Sequence, residues 1–258
     1  MSLYKMSVRT KILGLVLSGT LGLSPVLTNA EPPPSPSDPA FQQAVEQVVE
    51  QYLRTHPEVI EQTLQALQAK RQAEERERIR KVIATRQSDL LNDPNSPVSG
   101  NLEGDVTVVE FFDYRCGYCK RVAGAVTQLQ RDDPMVRVVY KDFPILGEAS
   151  VFAARAALAS KAQGKHLEFH EALLAFKGEL TQESILKIAT AVGLDIKQLN
   201  KDMEAPHIQG IIERNRALAR EIGINGTPGF IVGTELAPGA LDLKELKNLV
   251  SRVRETKS

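Results

Sequence analysis

Both cysteines of this chain, Cys116 and Cys119, lie in one stretch, Phe111-Phe112-Asp113-Tyr114-Arg115-Cys116-Gly117-Tyr118-Cys119-Lys120. The run Val106 to Phe112 before them is short, β-branched and aromatic, which is the make-up of a strand rather than a helix. After Cys119 the apolar residues Val122, Ala123, Val126 and Leu129 recur at helical spacing. The pair therefore stands where a strand gives way to a helix, and the chain around it folds as an α/β unit whose helix opens on Cys-x-x-Cys.

That seat sets the chemistry. The thiolate is the nucleophilic form of cysteine, and the first turn of a helix offers unpaired N–H donors and the positive end of the dipole to stabilise it. Cys116 is expected to be the exposed, thiolate-forming member, and Cys119, one turn in beneath it, the resolving thiol. Half of a zinc site and an inert disulfide are the competing readings of the spacing. Zinc needs two more ligands, there is no third cysteine, and His56, His166, His170 and His207 are all distant in sequence, so redox chemistry is the reading adopted. Exchange between a dithiol and a disulfide needs no bound cofactor and no metal.

Residues 1–30 carry Lys5, Arg9 and Lys11, an apolar stretch from Ile12 to Leu27, and Thr28-Asn29-Ala30. This pattern reads as a secretory signal peptide cut after Ala30, because the apolar stretch holds Pro25 and falls short of the ~20 residues that span a bilayer. No later stretch is long enough to span, so no transmembrane segment is expected in the mature chain. The full chain has 32 basic and 32 acidic residues, and removing the signal's three basic residues leaves 29 against 32, a balance that argues against nucleic acid as a partner. An oxidising compartment outside the cytoplasm is where a lone cysteine pair serves as a dithiol catalyst.

Residues 31–39, with five prolines, form an extended linker. From Phe41 the residues Val45, Val48, Val49, Tyr52 and Leu53 follow a helical pattern that stops before Pro57, and Thr55-x-x-Glu58 has the form of a capping box for a second helix with Val59, Ile60, Leu64 and Leu67 on one stripe. Lys70 to Lys81 is almost wholly charged, with Glu74→Arg78 and Glu77→Lys81 at i, i+4, and predicts a solvated helix. An apolar face resumes through Ile79, Val82, Ile83, Leu90 and Leu91 before Asn92-Asp93-Pro94. Residues 40–95 thus form a helical extension. A helical pair cannot bury both its faces alone, so residues 40–68 are expected either to self-associate into a homo-oligomer or to fold back on the redox domain.

Residues 95–105 read as a boundary loop, and Val106–Phe112 as the central strand. Glu110 is an acid among apolar neighbours. Pointing inward beneath the cysteines, it would have a raised pKa and relay a proton to or from Cys119; the alternative is a solvent-facing residue on an edge strand. Met135–Phe143 alternates as a second strand, with Lys141 a candidate partner for an acid near the site. Residues 148–222 read as helices only: Val151–Ala162, His166–Phe176, Thr181–Val192, Asp195–Met203 and Ile208–Ile222. His166 and His170, at i, i+4, are assigned packing or surface roles. Then follows Gly226-Thr227-Pro228-Gly229-Phe230, where Thr227-Pro228 before a short strand is a candidate cis peptide; beside a thiolate such a loop offers backbone groups to an extended peptide. A trans-Pro turn is the alternative. Gly233 to Gly239 reads as a turn, and Asp242 as the cap of a closing helix.

Strand, Cys-x-x-Cys helix, strand, helical insert, Thr-Pro, strand and helix, carried by Glu110 to Cys119 and Gly226 to Phe230, resemble the thioredoxin fold in its DsbA-like form over residues 96–258. The resemblance places Glu110 where DsbA-like enzymes keep a buried acid and Pro228 where they keep a cis-proline. Gly117-Tyr118, the pair that tunes the redox balance, and Thr227 before the proline look like the disulfide isomerase DsbC. The N-terminal helices look like those of ScsC-type copper-tolerance proteins, some of which self-associate there. The resemblance implies a periplasmic thiol:disulfide oxidoreductase with cysteine-containing client proteins and a membrane redox partner, as an isomerase or reductase. A monomeric DsbA-like oxidase, or a copper-binding protein using Cys116 and Cys119 as soft ligands, are its alternatives.

Overall fold

The computed structural model describes residues 35–256; the expected signal over residues 1–30 and most of the linker over 31–39 lie outside the described residues. The chain divides into one unit that ends at Thr63 and a larger one that starts at Leu64. Helix α1, Pro39–Thr55, begins where Pro39 fixes the first helical turn and the Asp38 carboxyl accepts from the Ala40 N–H at 2.9 Å. None of its residues is buried, and Phe41, Val45, Val48, Val49 and Tyr52 stand exposed. The expected capping box at Thr55 does not form. The Thr55 hydroxyl donates back to the Gln51 carbonyl at 2.9 Å as the last residue of α1, and α2, Pro57–Thr85, starts at the proline instead.

Helix α2 is exposed along its charged stretch. Lys81 meets Glu77 at 3.6 Å as the spacing predicts, but Arg78 turns to Glu75 at 2.7 Å instead of Glu74, its other guanidinium nitrogen donating to the Glu221 carbonyl at 3.1 Å. The short α3, Gln87–Leu91, follows. Ile83 and Leu90 are buried with Val109 and Phe111, so the end of this helical region is core of the larger unit.

Five strands make one sheet: β1 Val98–Gly100, β2 Val106–Phe112, β3 Val136–Asp142, β4 Gly229–Val232 and β5 Glu235–Pro238, in the order β1-β3-β2-β4-β5. β2 and β3 are parallel, joined through α4, Gly117–Asp132, and the other pairs are antiparallel. Two strands escape the sequence reading. β1 lies inside the expected boundary loop, and β5 replaces most of the expected turn, which shrinks to Gly233-Thr234. Both are short edge strands, where a ladder tolerates Gly100 and Pro238, so their sequences look like loops.

Central β2 is buried on both faces. Val106, Val108 and Phe112 join Cys119, Val122 and Val126 of α4 on one face, together with Leu246, Leu249 and Val250 of the closing helix α10, Leu243–Glu255. Val109 and Phe111 face the other way. Between β3 and β4 the chain inserts the helices α5 Glu148–Ala159, α6 His166–Ala175, α7 Gln182–Ala191, α8 Ile196–Met203 and α9 Pro206–Ile222, matching the expected helical block. Thr181 and Asp242 cap their helices as read from the sequence, and Asp195 caps α8 through the Gln198 N–H.

Lys141 lies on the face of β3 turned towards α3 and is only 1% exposed. Its ammonium donates to the Asp89 carbonyl at 2.6 Å and Ser96 Oγ at 2.6 Å and meets Asp93 at 3.3 Å, while burial holds its pKa below the usual lysine value. It has an acid partner, but on the far side of the sheet from the helix that carries the cysteines. Lys141→Met leaves these acceptors unpaired and is expected to cost about 2–4 kcal/mol, read as a lower urea midpoint with an unchanged slope.

Candidate functional site

The dithiol site forms where β2 ends. Cys116 is the N-cap of α4, and its backbone N–H donates to the Asp113 carbonyl at 3.0 Å, closing a tight turn between strand and helix. Both cysteines are free thiols. Cys119 is fully buried, and Cys116, expected to be exposed, is 7% exposed because the loop at Thr227 covers it. The Cys116 side chain accepts no capping hydrogen bond from the first turn; its Sγ instead donates to the Thr227 carbonyl at 3.2 Å. A protonated thiol is a donor, and that carbonyl is the acceptor within reach. The Thr227-Pro228 peptide is cis.

The two thiols differ in their surroundings. Burial pushes the Cys119 thiol well above its ordinary pKa; Glu110 and Cys116 act in the same direction, and a backbone hydrogen bond at Asp113 acts against it. Glu110 points inward, on the same face of β2 as Phe112, and is 2% exposed. Burial alone raises its pKa to about 8. It lines a cleft of about 420 Å³ with Thr127, Tyr140, His170 and Glu171. His166 and His170 are buried on α6, with the His170 Nδ1 bonded to the Tyr114 hydroxyl at 3.0 Å and its ring edge-on to Phe112. Burial lowers both imidazole pKa values, the packing role read from the sequence.

Tyr118 is 57% exposed, with the Arg121 guanidinium 4.5 Å from its ring centre, and a side chain added at Gly117 would meet nothing within 4 Å. The dipeptide between the cysteines therefore faces outward. Cys116, Cys119, Glu110, Thr227 and Pro228 come together; Lys141 does not join them.

Sequence reasoning missed Asp113. Its buried carboxyl accepts from the N–H of Arg115 at 2.8 Å, the N–H groups of Ile145 and Leu146 at 2.9 and 3.0 Å, and the Ser150 hydroxyl at 2.8 Å. Arg115 in turn donates to the Leu146 carbonyl at 2.6 Å. These bonds tie the cysteine turn to the loop after β3. An acid directly after a strand and three residues before Cys116 was the available signal, but three of its four partners lie more than thirty residues away.

Asp142 is also fully buried, neither of its carboxyl oxygens has a hydrogen-bond partner among the described residues, and burial raises its pKa to about 8. Among the described residues no three His, Cys, Asp or Glu side chains are grouped to hold a metal ion, and no helix is long and apolar enough to cross a membrane.

A sheet in this order, a Cys-x-x-Cys at the mouth of the helix joining its two parallel strands, and a cis-proline facing the first cysteine define a thioredoxin-fold dithiol protein. Residues 107–251 match the DSBA-like thioredoxin domain, more than half of the chain, and the chain belongs to that family. Residues 42–74 match the copper resistance protein ScsC N-terminal domain. A thioredoxin-like oxidoreductase from Silicibacter pomeroyi DSS-3 is 51% identical with a TM-score of 0.65, over 66% of this chain and 98% of that one. Proteus mirabilis ScsC in a transitional conformation is 28% identical with a TM-score of 0.64, over 85% of this chain and 99% of that one. Among curated relatives, Na(+)/H(+) antiporter NhaA 3 of Salinispora tropica is 32% identical over 155 residues, 59% of this chain. The chain spans about a quarter of the length of that relative, 24%.

Two outcomes follow from the buried carboxyls. Asp113→Asn puts an NH2 group against backbone N–H donors and is expected to cost about 2–4 kcal/mol in urea unfolding and to slow alkylation of Cys116 by loosening the turn. Glu110 holds its proton in the folded state up to about pH 8 and releases it near 4.5 when unfolded, so its contribution to stability is full below pH 4.5 and is lost as pH rises towards 8. Glu110→Gln is therefore expected to melt higher than the wild type, with a gap that widens from pH 5 to 8 and reaches at least about 4 °C; a constant gap in a calorimetric series would count against this assignment.

Proposed function

We propose that this protein is a periplasmic thiol:disulfide oxidoreductase that acts on client proteins through Cys116 and Cys119, as a reductase or isomerase. The observation that carries this reading is the apposition of Cys116 Sγ and the Thr227 carbonyl at 3.2 Å above a buried second thiol. The Cys116 thiolate attacks one sulfur of a client disulfide, forming a mixed disulfide and releasing the client's other thiolate. Ionised, Cys116 no longer donates to Thr227, which leaves that carbonyl free for a client N–H in the manner of strand addition. Pro228 fixes the loop that makes this approach.

Glu110, which burial keeps protonated up to about pH 8, first gives up its own proton; its carboxylate then takes the proton of the buried Cys119 thiol, and Cys119 attacks Cys116 Sγ. The Cys116–Cys119 disulfide forms, and the client leaves with both cysteines reduced, having gained the two electrons the protein lost. A membrane redox partner supplies the electrons that restore the dithiol. Where a second client thiolate reaches the mixed disulfide first, the client leaves rearranged and the protein dithiol is unchanged. Gly117 and Tyr118 tune this balance through the relative stability of dithiol and disulfide, where 30 mV corresponds to about 1.4 kcal/mol.

The preference for isomerase or reductase over oxidase rests on Gly117-Tyr118, on Thr227 and on the exposed apolar side chains between Phe41 and Leu67. Those side chains suit self-association through residues 40–68, which presents more than one dithiol to a client. With a scrambled client, Cys119→Ser is expected to accumulate a client mixed disulfide at Cys116, and Cys116→Ser to lower client turnover at least about 100-fold, both read by non-reducing mass analysis. Val48→Glu is expected to lower the molar mass in sedimentation and reduce rescue of the scrambled client. A strongly oxidising potential in a protein of single-subunit mass would turn the reading to a dithiol oxidase.

A further inference from the structure

A groove of about 570 Å³ runs beside the dithiol, between the loop after β3 with the start of α5 on one side and the end of α9 with Ile224-Asn225 on the other. Its position follows from contacts already described. Asn225 is two residues before Thr227, whose carbonyl touches Cys116, and Leu146 is held by Arg115, the residue before Cys116. At about 3.3 Å per residue, an extended segment disulfide-bonded to Cys116 and lying along Asn225 to Pro228 enters the groove within two or three residues of its own cysteine.

The groove has a defined chemistry. Ile145 is 41% exposed although its backbone is fixed from below by Asp113, so its side chain is presented rather than packed away. Val151 and Ile224 complete an apolar floor. Arg216 and Arg220 lie one turn apart on α9 and both line the groove. Arg216 is committed to the Pro144 carbonyl at 2.6 Å, whereas the exposed Arg220 guanidinium has no hydrogen-bond or ion-pair partner among the described residues. Glu148 is the one carboxylate on the walls and pairs with neither arginine. Two guanidinium groups against one carboxylate make an apolar slot with excess positive charge.

We propose that this groove is a specificity subsite for client segments that carry an Asp or Glu side chain, next to an apolar residue, two or three positions from the reactive cysteine. Arg220 is its recognition residue, because a guanidinium binds a carboxylate through two parallel hydrogen bonds. The inference rests on the thiol:disulfide exchange reading and names the class of client that this reading leaves open.

The test uses the reduced full-length protein and synthetic peptides that each hold one cysteine as a mixed disulfide with thionitrobenzoate. Attack of Cys116 on the peptide sulfur releases the coloured thiolate, whose own charge is common to all peptides and cancels in a ratio of rates. Peptides with Glu, Gln or Lys at two and three residues on either side of cysteine are compared. The Glu peptide is expected to react about 5-fold faster than the Lys peptide at low ionic strength, with the ratio shrinking in salt. Arg220→Glu is expected to bring the ratio below one and Arg220→Gln to an intermediate value, the second variant guarding against a folding effect of charge reversal. A wild-type ratio near one, or a preference unchanged in both variants, would overturn the subsite. Release from no peptide would overturn the exchange reading beneath it.

Discussion

The carboxyl of Asp113 holds the site together. Four hydrogen bonds converge on it: one from the turn that carries Cys116, two from backbone N–H groups of the loop after β3, and one from the first turn of α5. A buried carboxyl left without donors is costly, so these segments are fixed jointly rather than one by one. The turn gains a rigid base, and the inserted helices gain an anchor at the point where they leave the sheet. The groove at Arg220 draws on the same group through Ile145, whose backbone N–H Asp113 holds while its side chain lines the groove.

Around that anchor the site is divided by burial. Cys116 stands at the helix mouth under one carbonyl, and Cys119 lies fully inside, next to a carboxyl that burial keeps protonated up to about pH 8. An acid placed so costs folding stability near neutrality. Asp142 bears a similar cost without an evident partner, and nothing in the structure explains it.

The helices before the sheet obey a different rule. α1 buries none of its residues, so its helical form comes from Asp38, Pro39 and local propensity rather than from a core. The end of α2 and α3 are the reverse: Ile83 and Leu90 are covered by Phe111 and Val109, and their place is set by the sheet. One helical region thus serves two ends, with apolar side chains exposed at its start and buried at its finish.

The sequence by itself determined the strand-to-helix seat of the cysteines, the helical insert, the caps at Thr181 and Asp242, and the cis-proline candidate, because each is written in local spacing or in backbone chemistry confined to a few residues. It left the edge strands β1 and β5 as loops, since Gly100 and Pro238 suit either state until a partner strand is known. It also left open where Glu110 points and which side of the sheet takes Lys141, and it expected Cys116 to be exposed where the loop at Thr227 covers it. Only the tertiary structure decided these, along with the role of Asp113 and the groove at Arg220, because each depends on groups dozens of residues apart whose meeting is fixed by strand order and helix packing.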